Sequence, residues 1–193
     1  TILLGMYLLL QGRYAWSAGS IAVGTLTKWF PLLLLPAGWK IIRQKRKFLL
    51  IAGAILLSLL IVWGTLFVLS PEMTEASLTS QLRKGSWETV WALMDGNIRT
   101  GNFGPEVSRL FPGTIRRIQT QPAMISPWIT LLIFTALGLV LFLTQQVSDP
   151  EEFMNFIGLT MVLFFIWSPG YSPQWMLYSL PLILLLLPFR ESL

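Results

Sequence analysis

Lys28 stands out chemically, a charge set in Gly24-Thr25-Leu26-Thr27-Lys28-Trp29-Phe30-Pro31 within an apolar stretch. A lysine inside a membrane-spanning segment costs about 3 kcal/mol on insertion scales, so such residues face a wet cavity or a counter-ion. The bland alternative is a stem that snorkels to an interface at a helix break. Pro31 and Pro36 supply that break, because proline removes a helix hydrogen bond and crowds the preceding turn. Break and charge coincide, which favours a functional cation, and a cation at a helix break is suited to holding a phosphate. The second feature is the turn 168–174, Ser-Pro-Gly-Tyr-Ser-Pro-Gln, followed by Trp175. Tyr171, Gln174 and Trp175 bring aromatic and amide groups to a membrane boundary, and such groups suit sugar rings. An aromatic belt on a rigid turn explains the same composition. Two acids, Glu88 and Asp95, lie in a polar segment, where a carboxylate reads first as solvated surface.

Other chemistry is ruled out by residue type. With no Cys and no His, the chain has no thiol nucleophile, no imidazole base, no disulfide and few ligands for a transition metal. There is no phosphate loop, no G-x-G-x-x-G and no nucleophile elbow. We expect no metal site and no cofactor. Charged residues make up 12% of the 193 residues and hydrophobic ones 54%. Soluble domains carry about 25% charged residues, so this chain lacks the groups needed to wet a globular surface. The net charge of +5 is concentrated at Lys40, Arg43, Lys45, Arg46 and Lys47, directly before an apolar run. That placement reads as a juxtamembrane anchor facing anionic lipid rather than a nucleic-acid site.

The elements that must position these residues are helices. Spanning hydrocarbon takes roughly 20 apolar residues, and residues 48–69 and 124–143 qualify. Residues 2–10 are too short to span and read as the tail of a truncated helix, with Thr1 the expected cut edge of a longer protein. Gln11-Gly12-Arg13 makes a turn. Residues 15–39 form either one kinked span or a short broken hairpin. Residues 153–167 and 175–189 are shorter apolar segments on either side of the turn 168–174, and an acidic turn covers 148–152. The stretch 71–122 reads as one long loop, and a connector of that length is usually functional. Within it Trp87, Val90, Trp91 and Met94 share one helical face, with Ser86 as N-cap and Gly96 as stop. That predicts an amphipathic helix, either at the interface or in a small extramembrane cap. The expected fold is all-α: a polytopic transmembrane bundle of roughly five hydrophobic segments with one long extracytoplasmic loop. Its parts are 1–70, with a broken segment and a basic cytoplasmic loop, the external loop 71–122, and the helices of 123–193. Retention of Lys and Arg in the cytoplasm sets this orientation and also places 148–152 inside.

Residues 18–36, AGSIAVGTLTKWFPLLLLP, resemble the "small–apolar–K–x–(F/Y)–P–apolar" segment of the GT-C superfamily of membrane glycosyltransferases. The likeness is greatest to glycosyltransferase family 87, the polyprenol-phosphate-mannose-dependent mannosyltransferases. The basic cluster that follows also matches. Residues 168–181, SPGYSPQWMLYSLP, are similar to the late "S-P-Q-(Y/W)…L-P" turn of these proteins, and residues 85–97, GSWETVWALMDGN, resemble a late external loop. Order and spacing carry the likeness, since each piece alone is loosely specific. The resemblance implies transfer of a sugar at the outer face of the plasma membrane by a multi-pass protein. The donor is then a lipid-linked sugar phosphate, and the partners are that donor and membrane lipid, with no nucleic acid. Lys28, Tyr171 and Gln174 fall on motif positions, and with Trp175 they are the expected donor-binding residues. The acid that deprotonates the acceptor lies, in the superfamily, in a first external loop, so it is expected upstream of Thr1. Two other readings stay open. One is a transporter or flippase of lipid-linked saccharides, with Lys28 at a broken-helix site. The other is a polymer ligase-like subunit, for which Arg83, Arg99, Arg109, Arg116 and Arg117 supply external arginines.

Overall fold

The computed structural model describes residues 1–82, 85–98, 111–115 and 121–186. Helix dominates the described residues, and no strand forms among them; Trp87 and Gly170 make an isolated bridge. The helices are α1 (Ile2–Leu10), α2 (Tyr14–Thr27), α3 (Leu34–Ile41), α4 (Lys45–Leu69), α5 (Pro71–Leu82), α6 (Val90–Asp95), α7 (Pro112–Ile115), α8 (Pro127–Thr144), α9 (Pro150–Trp167) and α10 (Met176–Leu186). Three of them, α4, α8 and α9, are long and apolar enough to cross a membrane.

The chain divides into two compact units. The described residues of the first fall within Thr1–Leu60, Ala136–Phe164 and the stretch from Gln174 onward, and those of the second within Ile61–Thr135 and Phe165–Pro173. Core positions of the first unit follow helical spacing: Ile2, Met6 and Leu9 on α1, Ala18, Ile21 and Ala22 on α2, Phe48, Ile51 and Ile55 on α4, and Phe153, Phe156, Ile157 and Met161 on α9. The stripes are narrow. The remaining faces expose leucines that water would not tolerate, and on α8 no residue is buried. Hydrocarbon suits such a surface, and the three long apolar helices suggest a membrane protein.

Where α1 meets α2, the Ser17 hydroxyl donates to the Gly5 carbonyl at 2.8 Å, with Ser17 fully buried. Interhelical hydrogen bonds in membranes are worth modest amounts because the unfolded reference state also finds partners. Ser17→Ala is therefore expected to lower stability by about 1 kcal/mol or less. Thermal unfolding in detergent micelles checks this, and a loss several times larger would mean that the contact fixes the hairpin.

The structure corrects several boundaries, and one residue type explains most of them. Residues 71–122 and 148–152 read as connectors in the sequence, yet Pro71, Pro112 and Pro150 each open a helix there, and Pro127 opens α8 inside the expected span 124–143. At the first helical position the missing N–H is an orphan anyway and φ is already set. Residues 71–82 are therefore α5 rather than loop; Ala76 is fully buried and α5 packs against α7. The acidic turn opens α9: the Asp149 carboxylate accepts from the Glu152 amide at 2.8 Å, and the Glu152 carboxylate accepts from the Ser148 amide at 2.7 Å. Both are N-terminal capping bonds. The basic residues Lys45, Arg46 and Lys47 begin α4 instead of preceding it. Between residues 15 and 39 the helix is broken: Lys28 is extended (φ −153°, ψ 139°), and a 3₁₀ turn, Phe30–Leu33, leads into α3. Residues 187–189 of the last apolar segment lie outside the described residues.

Candidate functional site

At the break, Lys28 ends α2, its amide donating to the Gly24 carbonyl at 2.9 Å while its exposed side chain turns away from the helical path. The Lys28 ammonium lies 5.7 Å from the centre of the Trp175 indole. That is a cation–π distance. It joins two sequence-selected residues that belong to different segments. Phe30 holds them in register. Buried at 5% exposure, its ring stands edge-on to Phe164 at 5.4 Å, Trp175 at 5.0 Å and Tyr178 at 4.9 Å. The break thus packs on α9, on the 3₁₀ turn Pro173–Trp175 and on α10. One turn before Lys28, the buried Thr25 hydroxyl has no hydrogen-bond partner among the described residues. Gln174 sits exposed in the turn Pro173–Trp175.

Tyr171 belongs to the second unit, where its ring packs edge-on against Phe165 at 6.1 Å. There the segment 85–98 is docked on the turn 168–171. The Trp87 amide donates to the Pro169 carbonyl at 3.1 Å, and the Tyr171 amide donates to the Trp87 carbonyl at 3.2 Å. The Thr89 hydroxyl donates to the Pro169 carbonyl at 3.0 Å, and the Trp91 indole N–H to the Ile166 carbonyl at 2.8 Å. The predicted amphipathic helix is thus only partly present. α6 covers Val90–Asp95 alone, its N-cap is Thr89 rather than Ser86, and Trp87 lies outside it in the bridge to Gly170. The reason is local: Glu88 adopts φ +52°, which reverses the chain and sends Trp87 onto the turn. Gly96, at φ +73°, closes α6 in the left-handed conformation as expected.

Ser86, freed from capping, donates to a carboxylate oxygen of Asp95 at 2.6 Å and accepts from the Asn97 amide at 2.9 Å. The other Asp95 oxygen accepts from the Met124 amide at 2.7 Å, and the Asn97 carbonyl oxygen from the Gln121 amide at 2.9 Å. Asp95 is therefore a clasp that ties the segment to the residues entering α8, and not a solvated surface acid. Glu88 is exposed, as that reading had it. Sequence reasoning missed the clasp because nothing in the spacing of Ser86, Asp95 and Asn97 marks them as mutual partners.

The chain matches no family model, no curated protein and no solved structure. Its chemistry rests on its own residues. Among the described residues no group of three or more acidic side chains converges to hold a metal. Arg83, Arg99, Arg109, Arg116 and Arg117, the arginines of the ligase-like reading, all lie outside the described residues. What the described break offers is an exposed cation beside an indole face, next to an amide-bearing turn.

Proposed function

We propose that this chain is part of an integral-membrane glycosyltransferase, multi-pass in the plasma membrane, that moves a hexose such as mannose from a polyprenyl-phosphate donor to an acceptor at the outer face. The observation that carries the proposal is the approach of Lys28 to Trp175 at a helix break. A donor of this class has three parts, each with its own demand. The polyprenyl tail needs a lipid-facing apolar wall, the phosphate needs a cation near the boundary, and the sugar needs aromatic and amide groups. Lys28 serves the phosphate, and Trp175 with Gln174 serves the sugar. For Tyr171 a donor-binding role is only what the resemblance implies.

In the transfer step the acceptor oxygen forms a bond to the anomeric carbon while the bond from that carbon to the phosphate oxygen breaks. The leaving polyprenyl phosphate keeps the electron pair. Negative charge grows on it, and an ammonium fixed beside it stabilises the transition state more than the ground state. The acceptor proton passes to a carboxylate base, for which no residue of this chain is assigned.

The test uses the full-length protein reconstituted in lipid with a panel of radiolabelled polyprenyl-phosphate sugars. Lys28→Ala is expected to reduce transfer about tenfold, the size of one lost charge contact to the leaving group, while Lys28→Arg retains most of it. Absence of transfer from every donor, in a protein that unfolds normally, would sink the reading and move the weight to transport of lipid-linked saccharides.

A further inference from the structure

A second basic site lies away from Lys28, in the first unit. The start of α4 at Lys45, the end of α8 at Thr144 and the residues leading into α9 border a hollow of about 410 Å³. An end of α4, an end of α8 and the lead into α9 thus meet at this hollow, and all three helices are long and apolar enough to cross a membrane. Lys40 and Lys45 line this hollow, with Trp39, Phe142, Leu143 and Gln146. The Lys40 ammonium donates to the Gln145 carbonyl at 2.7 Å and lies over the Phe142 ring at 4.6 Å. The Lys45 ammonium donates to the Trp39 carbonyl and to the Ile42 carbonyl, and lies over the Trp39 ring at 4.8 Å.

Those carbonyls belong to the C-terminal ends of α3 and α8, whose partial negative charge holds both ammoniums in place. Held this way, neither is spent. An ammonium carries three donors, so both lysines retain N–H groups uncommitted among the described residues. Two cations with free donors, an amide at Gln146 and an apolar rim of Trp39, Phe142 and Leu143 thus gather around one open hollow.

We propose that this hollow binds a phosphate group, the headgroup of an anionic lipid whose acyl chains run along the apolar rim. The site is independent of the donor contact at Lys28 and stands whether or not the transferase reading does. Anionic lipid in the same leaflet would then set how firmly α3, α4 and α8 hold together at their ends.

Full-length protein in phosphatidylcholine nanodiscs containing a minor share of phosphatidylglycerol provides the test, with retained phosphatidylglycerol counted by native mass spectrometry. Each lysine near an anionic surface is worth about fivefold in binding, so Lys40→Gln with Lys45→Gln is expected to reduce retention about twentyfold. Lys40→Gln alone, the milder variant, is expected to reduce it about fivefold. Arg43→Gln with Arg46→Gln alters exposed basic residues that do not line the hollow, and should lose clearly less retention than the lysine pair. Equal losses in the two double variants, or no loss in the lysine variants, would overturn the site in favour of general surface attraction. Inorganic phosphate separates the sources. Displacement of phosphatidylglycerol by it supports a site filled by free phosphate, and retention supports the lipid.

Discussion

Gly170→Ala is expected to release residues 85–98 from the turn 168–171, at a cost of about 3 kcal/mol to the second unit. A Cβ built at Gly170 would enter the six-membered ring of Trp87. Neighbours usually relieve such a clash by rotating, but Trp87 has little room to do so. Its amide and carbonyl are both committed to the turn, to Pro169 and Tyr171, and the ring is 9% exposed. Withdrawal of the ring therefore breaks both bridge hydrogen bonds. Each is worth about 1 kcal/mol net, and overpacking adds about 1–3 kcal/mol. Amide hydrogen exchange at Trp87 and Tyr171 is the direct readout. Protection at both should drop together in the variant, while the amides of α9 keep theirs. Unchanged protection would show that the ring and the turn are not in contact in the membrane-embedded protein.

The same contact shows why part of the molecule was legible in advance and part was not. Apolar runs are a one-dimensional signal, so 48–69 and 124–143 correspond to α4 and α8 within a few residues. The break at Lys28 was equally visible, because proline and charge act on the local backbone. The starts of α5 and α9 fall in stretches that read as connectors, for the opposite reason. A proline ends one helix and opens another by the same steric rule, and only the flanking contacts decide which. Asp149 supplies such a contact for α9 through the Glu152 amide.

Trp87 is the instructive failure. Its spacing to Val90, Trp91 and Met94 fits one helical face, yet the docking bonds to Pro169 and Tyr171 override that local preference. Pairing across such a sequence separation has no local signature. The same holds for the Ser86–Asp95–Asn97 clasp. It holds also for the approach of Lys28 to Trp175: the resemblance assigns both to donor binding, but no local pattern in the sequence sets their distance. Residue type picked out Lys28, Gln174 and Trp175; the packing of Phe30 is what brings Lys28 and Trp175 together.

Phe30 therefore makes the sharper stability experiment. Its ring is in edge-on contact with Phe164, Trp175 and Tyr178, and edge-to-face aromatic pairs are each worth about 1 kcal/mol beyond area burial. Phe30→Ala would leave a cavity among three rings that are anchored on α9, the 3₁₀ turn and α10. Large-to-small aromatic substitutions in water-soluble cores cost about 3–5 kcal/mol. In a membrane the transfer share shrinks, since lipid is as apolar as the core, while the lost van der Waals contacts remain. The expected loss is about 3 kcal/mol, read as a lowered midpoint in reversible unfolding from mixed micelles. Phe30→Leu, which fills much of the volume, should recover about half of it. The consequence for the site is separable from that for the fold. At temperatures where Phe30→Ala remains folded, the turn Pro173–Trp175 loses its anchor against the break, so donor binding should weaken although Lys28 is intact. A Phe30→Ala protein with wild-type donor affinity and a lowered midpoint would show that Lys28 is positioned by the α2 terminus alone. Loss of both together would make the aromatic cluster the element that sets the cation beside the indole.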